Sequence, residues 1–280
     1  MKRIVSIQDI SCVGKCSLTV ALPIISAMGV ECGILPTAVL STHTAFSEFT
    51  FCDLTDQIEP ISAHWKREGL KFDAIYTGYL GSFEQLDLVS AFFDDHGADD
   101  DTLIFVDPAM GDYGKLYTGF TPAFAKAMGA TVCAKADIIV PNLTEASFML
   151  GIPYVDAGYD EAYIKDILKR LVGLGAKRAV LTGVSFDASK LGIMGYDSIE
   201  DRYFSYFDEY VDAKFHGTGD VFSSAAVGAL MNGKSLEDAL AIAADFTVAS
   251  IRETLAHTPH NWYGVDFETE IPYLLERIEA

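Results

Sequence analysis

Short apolar runs recur along this chain, each closing on a polar cluster and most followed by a segment with helical spacing. Residues 4–7, 32–40, 73–77, 103–106, 137–140 and 179–181 read as buried strands. Residues 17–28, 53–67, 83–93, 163–174 and 235–254 carry apolar side chains at helical intervals, and Gly29 and Gly175 follow two of them as stop signals. Strands alternating with helices predict an α/β fold with a mostly parallel sheet covered on both faces. The polar clusters then line the carboxyl edge of the sheet, where open α/β sheets bind ligands. Two details refine the expectation. Pro23 should kink its helix or mark the boundary, and residues 8–11 should be the loop that follows the first strand. Residues 191–211 break the pattern: apolar segments at 192–196 and 203–207 around Asp/Glu turns predict antiparallel strands. No linker, repeat or low-complexity stretch interrupts the 280 residues, so one domain over 1–280 is expected.

The charge balance narrows the partners. With 20 Lys and Arg against 40 Asp and Glu, the formal net charge is −20. Such a field repels nucleic acid and anionic membrane surfaces, so an anionic substrate must be captured by backbone amides, metal ions and a few basic side chains. Cys12, Cys16, Cys32, Cys52 and Cys133 form an odd set with no Cys-x-x-Cys pair. Together with an N-terminus that reads as strand rather than leader, this predicts a cytoplasmic protein. No uncharged apolar run reaches membrane-spanning length. The histidines other than His43 follow no metal-ligand spacing.

The stretch His216-Gly217-Thr218-Gly219-Asp220 precedes a helix-like run at 221–230. Two glycines around a small hydroxyl residue leave the amides of Gly217, Thr218 and Gly219 bare at a helix N-terminus, a place that suits phosphate oxygens. Asp220 falls in the first turn, where the helix dipole favours an ionised carboxylate able to accept a proton from a hydroxyl. Taken alone, such a motif more often caps a helix than binds a ligand. Two further clusters change that weighting. Asp107-Pro108-Ala109-Met110-Gly111-Asp112 puts an acid directly after a buried strand, and Asn142 with Glu145 sits on the next strand-to-helix turn. Asp107 and Glu145 are a sparse oxygen set of the kind magnesium accepts, because that ion keeps waters and substrate phosphates in its shell. Each segment by itself is also ordinary turn and capping chemistry. Their recurrence at successive strand ends favours function. Gly14-Lys15-Cys16-Ser17 fails the phosphate-loop pattern twice, with Asp9 where a glycine belongs and Cys16 where Ser or Thr belongs, so Lys15 reads as a solvated surface lysine. His43 suits a structural role and a substrate contact equally, and Tyr79 between glycines suits the core or an aromatic ligand.

Taken in order, these residues resemble the vitamin B6 (pyridoxal/pyridoxamine) kinases of the ribokinase-like superfamily. The likeness rests on Ser6-Ile7-Gln8, His43-Thr44, Gly78-Tyr79-Leu80-Gly81, Asp107-Pro108 through Met110-Gly111, Pro141-Asn142-Leu143 with Glu145, and Gly217-Thr218-Gly219-Asp220. It implies a three-layer α/β/α fold, a homodimer, and transfer of the ATP γ-phosphoryl to the 5′-hydroxymethyl of a B6 vitamer with Mg2+, leaving room for a monovalent cation such as K+. It implies Asp220 as the base and the amides of Gly217, Thr218 and Gly219 as stabilisers of the transferring group. Asp107 and Glu145 are implied at the metal and nucleotide phosphates, with Asn142 and Thr182 near the nucleotide. Asp9, His43, Thr44 and Tyr79 are implied around the pyridine ring. Many B6 kinases carry serine where this chain has Asp9, and a carboxylate there is expected to favour pyridoxamine. Threonine at Thr218 is shared with the hydroxymethylpyrimidine kinases of thiamine synthesis, which are the alternative. A catalytically silent vitamin-binding protein of the same fold is a further alternative, disfavoured by the intact Asp220 and its glycines.

Overall fold

A computed structural model of the protein describes residues 1–98 and 101–280. In chain order the elements are β1 (Arg3–Ser11), α1 (Leu18–Ala27), β2 (Glu31–Leu40), β3 (Phe51–Asp53), α2 (Thr55–Arg67), β4 (Ala74–Thr77), α3 (Phe83–His96), β5 (Leu103–Val106), a hairpin of β6 (Gly111–Asp112) and β7 (Lys115–Leu116), α4 (Pro122–Thr131), β8 (Ile138–Ile139), α5 (Leu143–Leu150), α6 (Glu161–Val172), β9 (Arg178–Asp187), β10 (Lys190–Asp197), β11 (Arg202–Glu209), α7 (Thr218–Met231), α8 (Leu236–Ala256) and α9 (Ile271–Glu279). They gather into two compact units, one of Met1–Gly78 with Val211–Ala280 and one of Tyr79–Tyr210. The fold class is the expected α/β, with mostly parallel strands and helices around them.

In the first unit β1 runs parallel to β2 on one side and to β4 on the other, and the short β3 adds antiparallel to β2. Ile4, Val5 and Ile7 are fully buried, as a strand covered on both faces requires. Each such side chain withdrawn from water stabilises the fold by roughly 1.5–3 kcal/mol. Helix α1 packs on β1 and α7, and α7 packs on the Ala-rich α8. Gly228 makes the approach to α7 possible, since a Cβ there would lie 2.5 Å from the Met28 sulfur.

The second unit pairs β5, β8 and β9 in parallel, then turns to antiparallel ladders between β9, β10 and β11. The expected antiparallel pair at 192–196 and 203–207 is therefore present, extended at both ends. Helix α5 begins with a complete capping box: the Asn142 side chain accepts from the Glu145 amide, and the Glu145 side chain accepts from the Asn142 amide.

Three expectations are corrected. Residues 8–11 are strand, because β1 stays paired with β2 as far as Ser11; the ladder slips only between Gln8 and Ile10, where Asp9 lies opposite Thr37 and Ala38. Thr182 and Gly183 do not end their strand, since β9 continues to Asp187 to pair with β10. Of the two outcomes expected at Pro23, the boundary is ruled out, since the residue sits inside α1 with buried Val20, Ala21, Ile24 and Ile25 on either side of the missing amide. Among the described residues no helix is long and apolar enough to cross a membrane.

Candidate active site

In the first unit α7 opens at the predicted motif. Gly217 is its N-cap in the left-handed region at φ 79°, and a Cβ there would sit 2.1 Å from the Lys15 carbonyl oxygen, so only glycine fits. The amides that follow head a 14-residue helix, the geometry of an anion-binding N-terminus. Thr218 turns its hydroxyl to the Phe215 carbonyl at 3.4 Å. Asp220, in the first turn and half-buried, accepts the Ser17 backbone N–H on Oδ2 at 2.9 Å.

Ser17 also reaches Asp9. Its hydroxyl donates to Asp9 Oδ1 at 2.6 Å, while the Ser11 hydroxyl donates to Asp9 Oδ2 at 2.8 Å. Asp9 is 4% exposed, and burial raises its carboxyl pKa against the opposing pull of the two seryl hydroxyls. One residue thus ties the predicted base to the predicted ring contact. Cys16 is buried between them; burial, then the charges of Asp220 and Asp9, push its thiol far up, so it stays protonated and is no nucleophile.

His43 is held at both ring nitrogens. Nε2 lies 3.0 Å from the Tyr263 carbonyl and Nδ1 accepts the Ala45 amide at 3.2 Å, a pattern that assigns the neutral Nε2–H tautomer. Burial, with His216 close by, lowers its pKa. The ring stands 4.9 Å from Phe46 and from His216, beside Trp262 at 6.1 Å. Thr44 is exposed in the turn that follows.

Lys15 is not the solvated lysine expected. It is 18% exposed, and its ammonium donates to Asp266 at 2.6 Å and Glu268 at 2.9 Å. Burial alone would lower its pKa, but the two carboxylates outweigh it and the net shift is upward.

The second unit holds the other predicted residues. Asp107, directly after β5, is 7% exposed and Glu145 is 3% exposed. Glu145 accepts from the Met110 amide at 3.0 Å and from the Asn142 amide at 2.9 Å, and the Asn142 side-chain amide donates to the Gly111 carbonyl at 2.8 Å. These bonds tie the loop after β5 to the head of α5. Burial first, and then the charge of Asp107, raise the Glu145 pKa well above the ordinary value. Thr182 donates its amide to the Pro141 carbonyl at 3.0 Å, beside Asn142. Tyr79 packs its ring 5.3 Å from Phe120.

Several residues around these positions had no signal of their own. Ser11 and Ser17 are common hydroxyl residues made significant only by Asp9 and Asp220. Asp266, Glu268 and Tyr263 lie more than two hundred residues from their partners Lys15 and His43.

Known proteins set this arrangement in context. Residues 25–263 match the family model described as phosphomethylpyrimidine kinase. A Bacteroides thetaiotaomicron protein assigned as a phosphomethylpyrimidine kinase, crystallised with pyridoxal, is 40% identical and superimposes with a TM-score of 0.92 over 98% of this chain and 95% of its own. Pyridoxal kinase from Lactobacillus plantarum is 30% identical, with a TM-score of 0.89 over 99% of this chain and 97% of its own. A pyridoxal kinase of Rubrobacter xylanophilus is 26% identical over 90% of this chain and 88% of its own length. The chain belongs to the phosphomethylpyrimidine kinase family, on its pyridoxal kinase side, within the ribokinase-like superfamily.

Proposed function

We propose that this protein is a B6-vitamer kinase that transfers the γ-phosphoryl group of ATP to the 5′-hydroxymethyl of pyridoxal, pyridoxamine or pyridoxine. The single observation that carries the reading is Asp220, fixed by the Ser17 amide in the first turn of a helix whose leading amides are uncovered by glycine. A carboxylate so placed takes the proton of the attacking hydroxyl, and the Gly217, Thr218 and Gly219 amides stabilise the charge on the transferring group. Phosphoryl transfer asks the protein for little else than this positioning and electrostatic support. In this reading Asp9, His43 and Thr44 of the first unit serve the vitamer ring, and in the second unit Tyr79, Asn142 and Thr182 keep the roles the resemblance implies.

Asp107 and Glu145 would hold a magnesium ion with the nucleotide phosphates. The donor set fits that ion. Burial, and then the charge of Asp107, raise the Glu145 pKa, an imbalance that a cation relieves. Magnesium, which keeps waters and phosphate oxygens, suits such a pair. When bound, it would neutralise charge on the phosphates.

The family model's own description, phosphomethylpyrimidine kinase, favours a second reading, in which a pyrimidine of the thiamine pathway, hydroxymethylpyrimidine or its phosphate, is the acceptor. A coupled ADP-release assay with ATP and magnesium decides between them: turnover of the three vitamers well above that of the hydroxymethylpyrimidine is expected. The reverse order transfers the assignment to the pyrimidine kinases, and binding without ADP release makes the protein a silent vitamin binder.

A further inference from the structure

The loop of Gly14, Lys15, Cys16 and Ser17 is held in a conformation the chain would not adopt unaided. Gly14, Lys15 and Ser17 have φ of 149°, 50° and 52°, and the last two are side-chain-bearing residues at positive φ. Such backbone persists only where its surroundings over-determine it, and it gathers at functional sites. The surroundings here are specific. A Cβ on Gly217 would lie 2.1 Å from the Lys15 carbonyl oxygen, and one on Gly264 would lie 2.4 Å from the Lys15 Cβ, so the loop passes closely between the start of α7 and the C-terminal segment. The ammonium of Lys15 then closes on Asp266 and Glu268. Asp266 is itself anchored, because its amide donates to the Thr254 hydroxyl at 2.7 Å, and that buried hydroxyl donates to the Ser250 carbonyl within α8 at 2.7 Å.

What this clamp presents is the Ser17 amide, aimed at Asp220 Oδ2. We propose that Lys15 is a positioning residue for phosphoryl transfer: paired with Asp266 and Glu268, it pins the 14–17 loop so that the Ser17 amide fixes the orientation of the Asp220 carboxylate. The inference rests on Asp220 being the base. A carboxylate free to turn about its side-chain torsions spends part of its time unable to meet the hydroxyl proton, whereas a carboxylate held at one oxygen by a rigid amide does not. Lys15 touches no substrate in this account.

The test measures kcat and KM for a vitamer and for ATP in Lys15→Met, Lys15→Arg, Asp266→Asn, Asp220→Ala and the double variant Lys15→Met with Asp220→Ala. Rates are taken per folded molecule, with thermal midpoints recorded alongside. Lys15→Met is expected to lose on the order of 10- to 100-fold in kcat, as a misplaced catalytic group does, with both KM values little changed. Asp266→Asn should lose in the same direction, and Lys15→Arg, which keeps the ion pairs, should recover most of the rate. In the Asp220→Ala background the lysine substitution should cost almost nothing more, since the group it orients is gone. Three results overturn the proposal: a kcat for Lys15→Met that matches wild type whatever the thermal midpoint, a loss that multiplies fully with that of Asp220→Ala, or a selective rise in KM for ATP, which would put the ammonium on the nucleotide. Near-normal turnover by Asp220→Ala is a different failure, because it removes the base assignment itself. Should Lys15→Met not fold, Lys15→Arg and Asp266→Asn carry the same comparison.

Discussion

Asp220 and Asp9 are both carboxylates near the head of α7, and their surroundings give them different work. Asp220 is half-buried with one oxygen on a backbone amide; Asp9 is nearly sealed and accepts two seryl hydroxyls. Asp220→Ala is therefore expected to lower kcat by on the order of 10²–10⁴-fold, the worth of a positioned general base, with vitamer binding by calorimetry far less affected. A variant that turns over normally would move the role to another group. Asp9→Ser removes a buried carboxylate from the residues proposed around the ring, and if that carboxylate favours pyridoxamine the kcat/KM ratio of pyridoxamine to pyridoxal is expected to fall. An unchanged ratio would show that Asp9 serves only to brace Ser11 and Ser17. The sequence pointed to Asp220 by its glycines and to Asp9 only through the family resemblance, and it put Asp9 in a loop where the structure has strand. It could not reveal the brace, because a serine announces nothing until the fold brings an acceptor to it.

Elements were legible where their apolar period was long and clean, and opaque where pairing, rather than composition, defines them. Helix α8 and the antiparallel pair β10 and β11 followed from spacing alone. The three-residue β3, whose side chains are all exposed, has no core-facing pattern to read, and the β6–β7 hairpin consists of two-residue strands around Tyr113 and Gly114 at positive φ. Helix α5 is a case between these. Asn142 and Glu145 by themselves read as a capping box, and the resemblance puts them at the nucleotide; the structure shows the box to be complete. The two roles do not compete, since the same bonds hold the loop carrying Met110 and Gly111. Asn142→Ala removes the cap and the bond to the Gly111 carbonyl, at a cost of about 1 kcal/mol or somewhat more. The expected result is a lower thermal midpoint together with a raised KM for ATP. Asn142→Asp keeps the cap but not the amide donor, so it should restore the midpoint and leave KM raised; recovery of both would make Asn142 purely a cap.

Across the whole molecule, acidity is the dominant chemical fact, with twice as many acidic as basic side chains, and the cost concentrates where acids are buried together. Composition predicted an acidic protein that captures anions by local means, but it could not say which carboxylates would be forced to share a dry environment. Asp107 and Glu145 are 38 residues apart in sequence, and their interaction exists only in the fold. It has a thermodynamic consequence of definite sign. The folded-state pKa of Glu145 lies above its ordinary 4.5, raised by burial and then by Asp107, so in the window above 4.5 the folded chain holds a proton that the unfolded chain releases. Stability from this group is thus fullest below the ordinary value and is lost as pH climbs toward the folded one. In metal-free buffer the thermal midpoint of wild type should fall more steeply between about pH 5 and 8 than that of Asp107→Asn, in which the second cause is gone. Magnesium added at the upper end of that range should raise the wild-type midpoint and do much less for the variant, because a ligand that binds only the folded state stabilises it by an amount that grows with the logarithm of its concentration over its dissociation constant. Equal slopes for the two proteins would mean that the two acids do not feel one another, and an equal response to the ion would mean that they do not share a cation.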